Sequence, residues 1–94
     1  MSDEVRAVRV FVSGRVQGVG FRYTAAERAR DLELDGWVRN LFDGRVEVFA
    51  QGSSANLDIY VSWLDLGPSA AEVTGISVRD APLRPGFTGF EIRR

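Results

Sequence analysis

The 94-residue chain contains no cysteine, no histidine and no lysine. The absence of cysteine excludes disulfide scaffolds, thiolate nucleophiles and iron–sulfur sites. Without histidine the chain lacks the commonest metal ligand and the commonest general base at neutral pH. The absence of lysine excludes Schiff-base chemistry. An enzyme of this composition must therefore act through arginine, asparagine, carboxylates, hydroxyls and backbone amides.

The charges are nearly balanced, with 12 basic and 13 acidic residues and a net charge of −1. This balance argues against binding nucleic acid through a broad basic surface. No apolar run approaches the roughly 20 residues that a membrane-spanning helix needs, and residues 1–4 are polar and acidic, unlike a signal peptide. The length predicts one domain over residues 1–94. We expect a cytoplasmic protein without a membrane or nucleic-acid partner.

Hydrophobic periodicity predicts the order β-α-β-β-α-β followed by a short C-terminal strand. Residues 8–13 alternate as in a half-buried strand, and residues 21–32 have helical spacing up to a stop at Gly36. The other elements are strands over residues 37–41, 45–51, 76–78 and 90–92 and a helix over residues 57–64 that ends at Gly67-Pro68. This order is typical of an α+β, ferredoxin-like split βαβ fold, with two helices on one face of an antiparallel sheet.

A glycine-rich loop, Gly14-Arg15-Val16-Gln17-Gly18-Val19-Gly20, leads directly into the first predicted helix. Backbone N–H groups in such a loop can form an anion site, assisted by the positive end of the helix dipole. Arg22 follows in the first helical turn, where a cation is unfavourable unless an anion lies against it. Its guanidinium has a shape suited to phosphate. Glycine loops before helices are common, however, so the loop alone is also consistent with an ordinary turn.

Asn40 stands at the end of the second predicted strand. A helix joins the first two strands, so these run parallel and bring Asn40 to the same end of the sheet as the glycine-rich loop. An asparagine shortly before Asp43-Gly44 is also typical of a turn, and the spacing alone favours that interpretation. The neighbouring Arg39 is expected to point to the opposite face as a solvated charge.

Two stretches, GRVQGVGFR at residues 14–22 and GWVRN at residues 36–40, closely resemble the signature stretches of the acylphosphatase family. The resemblance covers almost the whole chain, including Asp43-Gly44 and the terminal residues 89–92. It implies hydrolysis of the carboxyl-phosphate bond of acyl phosphates to a carboxylate and inorganic phosphate, without a cofactor, a metal ion or a phosphoenzyme. Nothing in the sequence indicates a dimer interface, so we expect a monomer whose partner is a small-molecule acyl phosphate.

The resemblance also implies roles for individual residues. Arg22 and Asn40 correspond to the catalytic residues: Arg22 binds the phosphoryl group and Asn40 positions the attacking water. The loop amides that bind the phosphoryl group with Arg22 correspond to those of Arg15, Val16, Gln17, Gly18, Val19 and Gly20. The composition agrees with this chemistry, because a carboxylate leaving group needs no general acid and phosphoryl transfer depends mainly on positioning and charge stabilisation.

Three positions depart from the family pattern. Glu33 stands where relatives usually carry glycine, and Phe42 stands where a polar residue is more usual. Gly20 replaces a bulkier or polar residue of many relatives. The first two bear on the end of the first helix and on the turn, whereas Gly20 bears on the rigidity of the loop.

Two other functions share the same pattern. An RNA-recognition motif has the same element order and displays aromatic residues from strands one and three, which here are Phe11 and Phe49. The acidic charge balance disfavours this alternative. A regulatory domain that binds an anion without turnover would carry the same loop and Arg22, and only Asn40 favours turnover over binding.

Overall fold

The computed structural model describes residues 4–94, which form two helices and five strands. In chain order the elements are β1 (Val5–Arg15), α1 (Phe21–Asp31), β2 (Asp35–Asn40), β3 (Val46–Ser53), α2 (Ser54–Leu66), β4 (Glu72–Ala81) and β5 (Phe90–Arg93). The predicted order of helices and strands is confirmed. Within residues 4–94, neither helix is long and apolar enough to cross a membrane.

The five strands form one sheet in the order β4-β1-β3-β2-β5. Strand β3 runs antiparallel to both β1 and β2, and β4 runs antiparallel to β1. The predicted antiparallel arrangement holds for these four strands, but β5 joins parallel to β2, so the sheet is mixed. Because β1 and β2 run in the same direction on either side of β3, Arg15 and Asn40 end their strands at the same end of the sheet.

The main hydrophobic core lies between the sheet and the two helices. Strand residues on this face form one buried cluster with Phe21 and Ala25 of α1 and with Leu57 and Tyr60 of α2. Removing a large apolar side chain of this kind from water contributes about 1.5–3 kcal/mol. The Tyr60 hydroxyl donates a hydrogen bond to the Ala25 carbonyl oxygen at 2.9 Å, which joins the two helices, and burial raises the pKa of this hydroxyl.

The opposite face of the sheet carries a second, smaller cluster around Phe49. The ring of Phe49 stacks on Trp37 and meets the edge of Phe87, with centroid distances of 6.1 and 6.4 Å, and Phe49 is only 1% exposed. Phe87 belongs to the connection between β4 and β5, which covers this part of the sheet. The buried ring of Phe49 is not displayed for a base to stack on, which counts against the alternative of an RNA-recognition motif.

Helix α1 ends earlier than the sequence predicted. Leu32 is its C-cap, and Glu33 adopts a left-handed backbone conformation with φ of 56°. The Glu33 N–H donates to the Arg30 carbonyl and the Leu34 N–H to the Ala29 carbonyl, at 3.0 and 2.9 Å. These two bonds form a Schellman motif, in which the left-handed residue is usually glycine because a side chain is strained there.

Gly36 has a different role from the predicted helix stop. It lies inside β2, where a Cβ atom would collide with the carbonyl oxygen of Phe49 on β3. The glycine therefore permits close approach of two strands, whereas the Schellman motif of residues 29–34 ends the helix.

Replacing Glu33 with glycine is expected to stabilise the fold by about 1 kcal/mol, because glycine adopts the left-handed conformation without a steric penalty. Urea unfolding would show a higher midpoint at an unchanged slope. The matched control is Glu27→Gly, an exposed residue inside the same helix, which should destabilise by about 1 kcal/mol. A Glu33→Gly variant no more stable than the parent would contradict the assignment of strain to this residue.

Candidate active site

The connection between β1 and α1 presents free backbone donors. Gly20, directly before α1, has a left-handed φ of 76°, which favours glycine, and no side chain of residues 4–94 caps the helix. The first bond of the helix runs from the Thr24 N–H to the Gly20 carbonyl at 3.1 Å. The N–H groups of residues 21–23 consequently have no partner within the helix. Uncapped donors at the positive end of the helix dipole are suited to an anion.

Arg22 lies half-buried in this first turn. One terminal nitrogen of its guanidinium, Nη1, donates to the carbonyl oxygen of Arg93 in β5 at 2.9 Å. Within residues 4–94, no carboxylate lies within ion-pair distance of Arg22. The backbone contact therefore fixes the guanidinium without neutralising it. A cation in this state next to a helix N-terminus attracts an anion and offers further donors to it.

Arg22 and Asn40 line the same cleft, which has a volume of about 190 Å³. Its remaining walls come from Val16, Gly18, Gly20, Phe21, Tyr23 and Ile92. Asn40 is the last residue of β2, and its Oδ1 atom is buried without a hydrogen-bond partner in residues 4–94. A buried acceptor in this state costs about 1–3 kcal/mol. An O–H or N–H donor that enters the cleft removes this cost.

The turn after β2 is closed without the side chain of Asn40. The Leu41 N–H donates to the Arg45 carbonyl at 2.8 Å, and the Gly44 N–H donates to the Leu41 carbonyl at 3.2 Å. The Asp43 carboxylate accepts from the backbone N–H and from Nε of Arg45, at 3.1 and 2.9 Å. The backbone hydrogen bond from Arg45 is the main cause that lowers the pKa of Asp43. Asp43 thus stabilises the turn, as the sequence indicates, which leaves the Asn40 amide to the cleft.

The other predicted loop residues lie elsewhere. Arg15 is exposed at the end of β1, opposite Glu72 of β4, and Val19 packs against the main core. Gln17 directs its side chain towards the turn at residues 41–45. The roles expected for these residues concern their backbone amides, so their side chains are available for other contacts.

The side chain of Arg39 is exposed, as predicted, but it also has an ion-pair partner that the sequence did not indicate. It points away from the helices, as expected, but its Nε donates to Oε1 of the buried Glu47 at 2.7 Å. Arg9 lies on the other side of the same carboxylate, with 3.5 Å between its Nε and Oε2 of Glu47. Arg39 is thus an exposed charge that also pairs with a buried acid, which it shares with Arg9.

Sequence reasoning also missed residues that shape the cleft. Tyr23 and Ile92 form part of its wall, and the carbonyl of Arg93 holds Arg22. The sequence predicted β5 from its alternating pattern. No residue of the strand indicated that β5 would pair with β2, next to Arg22 of α1.

Comparisons with known proteins identify the family of the chain. Residues 8–92 match the sequence model of the family described as Acylphosphatase. The chain belongs to the acylphosphatase family. It is similar to the acylphosphatase of Pseudomonas aeruginosa, with 51% identity over 87 residues that cover 93% of this chain and 94% of the relative. It is 50% identical over 93 residues to the acylphosphatase of Anaeromyxobacter dehalogenans, covering 99% of each chain.

A solved member of the acylphosphatase family has the same fold. The crystal structure of the acylphosphatase from Bacillus subtilis superposes with a TM-score of 0.90 at 40% identity, covering 97% of this chain and all of the other. The predicted family resemblance and the ferredoxin-like α+β fold are therefore confirmed. Membership in this family supports a hydrolase role of the acylphosphatase type.

Proposed function

We propose that this protein hydrolyses acyl phosphates to a carboxylate and inorganic phosphate. The proposal depends mainly on one observation: the residues that carry three complementary groups line the same small cleft. These groups are the charged guanidinium of Arg22, the free backbone N–H groups of residues 21–23 and the unpartnered Oδ1 of Asn40. The first two suit phosphoryl oxygens, and the third suits a water molecule. The family of the chain supports the same activity.

In the proposed mechanism, Arg22, the N–H groups of residues 21–23 and the loop amides of residues 15–20 bind the non-bridging oxygens of the phosphoryl group. Phosphoryl transfer passes through a loose transition state with charge spread over these oxygens. Donors that are already in place stabilise this charge without reorganising during the reaction. The contact of Arg22 with the Arg93 carbonyl supports this role, since it restrains the guanidinium before substrate binds.

Asn40 orients the nucleophile in this proposal. Its Oδ1 accepts a hydrogen bond from a water molecule, whose oxygen then attacks phosphorus. The new bond joins the water oxygen to phosphorus, the bond between phosphorus and the acyl oxygen breaks, and its electron pair leaves on the carboxylate. The proton of the attacking water passes to a phosphate oxygen or to solvent. Because a carboxylate is a stable leaving group, the step needs no general acid.

Hydrolysis without a metal ion is part of the proposal. The chain has no histidine or cysteine, and within residues 4–94 no three acidic side chains are grouped so that they could hold a metal ion. We expect kcat to be unchanged after prolonged EDTA treatment and dialysis, when acetyl phosphate consumption is followed in metal-free buffer. Loss of activity that Mg²⁺ or Zn²⁺ restores would contradict this part of the mechanism.

The proposed activity is tested with acetyl phosphate and p-nitrophenyl phosphate in parallel. We expect turnover of the acyl phosphate and little of the phosphomonoester, whose leaving group is poorer and lacks a general acid or metal here. Inorganic phosphate should inhibit competitively, because it presents the same tetrahedral oxygens to Arg22 and the loop. Binding of phosphate without turnover of either substrate would overturn the proposal in favour of a regulatory anion-binding domain.

A further inference from the structure

The two halves of the cleft lie on segments that the sheet does not join directly. The loop of residues 16–20 follows β1, whereas Asn40 ends β2, and β3 separates these strands. The last residue of β1 that pairs with β3 is Val12, opposite Val46, and Val46 is also the partner of Asn40. Beyond this row of the sheet, no strand of residues 4–94 lies between the loop and the turn at residues 41–45.

The side chain of Gln17 spans this gap. Its Nε2 atom donates to the carbonyl oxygen of Leu41 at 2.7 Å and to that of Arg45 at 3.0 Å. Each of the two amide protons therefore meets one end of the turn that follows Asn40. Within residues 4–94, these are the hydrogen bonds that connect residues 16–20 with residues 41–45.

We infer that Gln17 is a positioning residue that holds Asn40 at a fixed distance from the phosphate-binding loop. The inference rests on the proposed function, in which Arg22 and the loop hold phosphorus while Asn40 holds the water. A displacement of about 1 Å between such groups can lower the rate by roughly 10². The backbone amide of Gln17 belongs to the loop, and its side chain adds the link to the second half of the cleft.

The turn does not depend on Gln17 for its own hydrogen bonds. The Leu41 carbonyl also accepts from the Gly44 N–H at 3.2 Å, and the Arg45 carbonyl also accepts from the Leu41 N–H at 2.8 Å. Removing the Gln17 donor therefore leaves both carbonyl oxygens with a partner, which limits the cost to the fold. What is lost is the restraint between the turn and the loop.

The test replaces Gln17 by methionine, which keeps the length of the side chain and removes its donors. We expect kcat for acetyl phosphate to fall by roughly ten- to a hundredfold, with the inhibition constant of phosphate within about twofold of the parent. The matched control is Gln51→Met. Gln51 Nε2 likewise donates to two carbonyls, those of Arg84 and Phe87, at 3.0 and 3.4 Å. These bonds join β3 to the connection between β4 and β5, and Gln51 does not line the cleft. The kcat of Gln51→Met should stay near that of the parent.

A double-mutant cycle separates positioning from general support of the fold. If Gln17 acts through Asn40, Gln17→Met should lower kcat little further, within about twofold, in an Asn40→Ala background. Effects that multiply, or a Gln17→Met variant with parental kcat, would overturn the inference. Should the variant not fold, hydrogen exchange of the Gln17 side-chain amide in the parent protein decides. Exchange several-fold slower than in free glutamine supports the link, and free exchange overturns it.

Failure of the proposed function would be recognised separately, as a parent protein that does not hydrolyse acyl phosphates. In that case the side-chain amide signals of Asn40 in ¹⁵N-labelled protein still report on the link. Gln17→Met should shift these NMR signals and Gln51→Met should not. Signals that neither substitution moves would overturn the inference independently of any activity.

Discussion

Arg22→Lys is expected to lose almost as much activity as Arg22→Ala, with kcat/KM for acetyl phosphate lower by on the order of 10³. Lysine keeps the positive charge but loses the planar fork, which can donate to the Arg93 carbonyl and to phosphoryl oxygens at the same time. Because Arg22 contacts the ground state as well as the transition state in the proposed mechanism, the inhibition constant of phosphate should rise by about tenfold or more in both variants. Steady-state kinetics and phosphate inhibition measure both effects.

Arg30→Lys is the matched control for this prediction. Arg30 lies on the same helix and donates in the same way to a carbonyl of β5, that of Phe90 at 2.8 Å, but it does not line the cleft. Its kinetic constants should remain close to those of the parent. A fully active Arg22→Lys variant would show that charge alone suffices and that the geometry of the guanidinium plays no part.

Asn40→Ala is expected to lower kcat by on the order of 10² to 10³, the loss typical of one preorganised hydrogen bond in the transition state. The inhibition constant of phosphate should change little, because in the proposed mechanism Arg22 and the loop amides bind phosphate and Asn40 binds only the water. This separation of kcat from phosphate affinity distinguishes Asn40 from Arg22, whose replacement should weaken both.

The control for Asn40 is Asn56→Ala. The Asn56 side chain donates to the Leu32 carbonyl at 2.9 Å at the end of helix α1. Neither Asn56 nor Leu32 lines the cleft. Loss of the Asn56 side chain should lower the free energy of unfolding and leave kcat unchanged. If Asn40→Ala keeps full kcat, the water-positioning role is wrong and Asn40 belongs to the turn only.

Much of the fold could be predicted because its signals are local. The alternation of residues 8–13 and the helical spacing after Phe21 each depend on neighbours within a few positions. The Ser53 hydroxyl caps α2 by accepting from the Asn56 N–H at 3.2 Å, and that helix ends at Gly67, as predicted. In these segments local preference and tertiary packing favour the same structure.

The features that the sequence did not reveal depend on residues far apart in the chain. Gly36 resembles a helix stop in the sequence, but its role comes from contact with β3, and Glu33 accepts the strained conformation instead. Phe49 alternates like an exposed strand residue, yet the connection containing Phe87 covers it. Arg39 lacks an acidic neighbour in sequence and finds Glu47 across the sheet. Periodicity carries no information about such partners.

In the candidate site, too, the local features were predictable and the contacts between distant residues were not. Arg22 and the glycine-rich loop are adjacent in sequence, so their association with a helix N-terminus was predictable. The placement of Asn40 beside them followed from the strand order. The link through Gln17 was not predictable, because it depends on two carbonyl oxygens more than 20 residues away. The single domain, the monomeric state and the cytoplasmic location stay predictions, and the physiological acyl phosphate stays unassigned.

The central claim, attack of water on phosphorus in the cleft shared by Arg22 and Asn40, is tested most directly by hydrolysis of acetyl phosphate in H₂¹⁸O. Mass spectrometry of both products, corrected for the uncatalysed reaction, should find one ¹⁸O atom in each inorganic phosphate and none in acetate. The Arg22→Ala variant should show only the uncatalysed background. Label in the acetate would place the attack at the carbonyl carbon, and the account of Asn40 and the phosphate-binding loop would then be wrong.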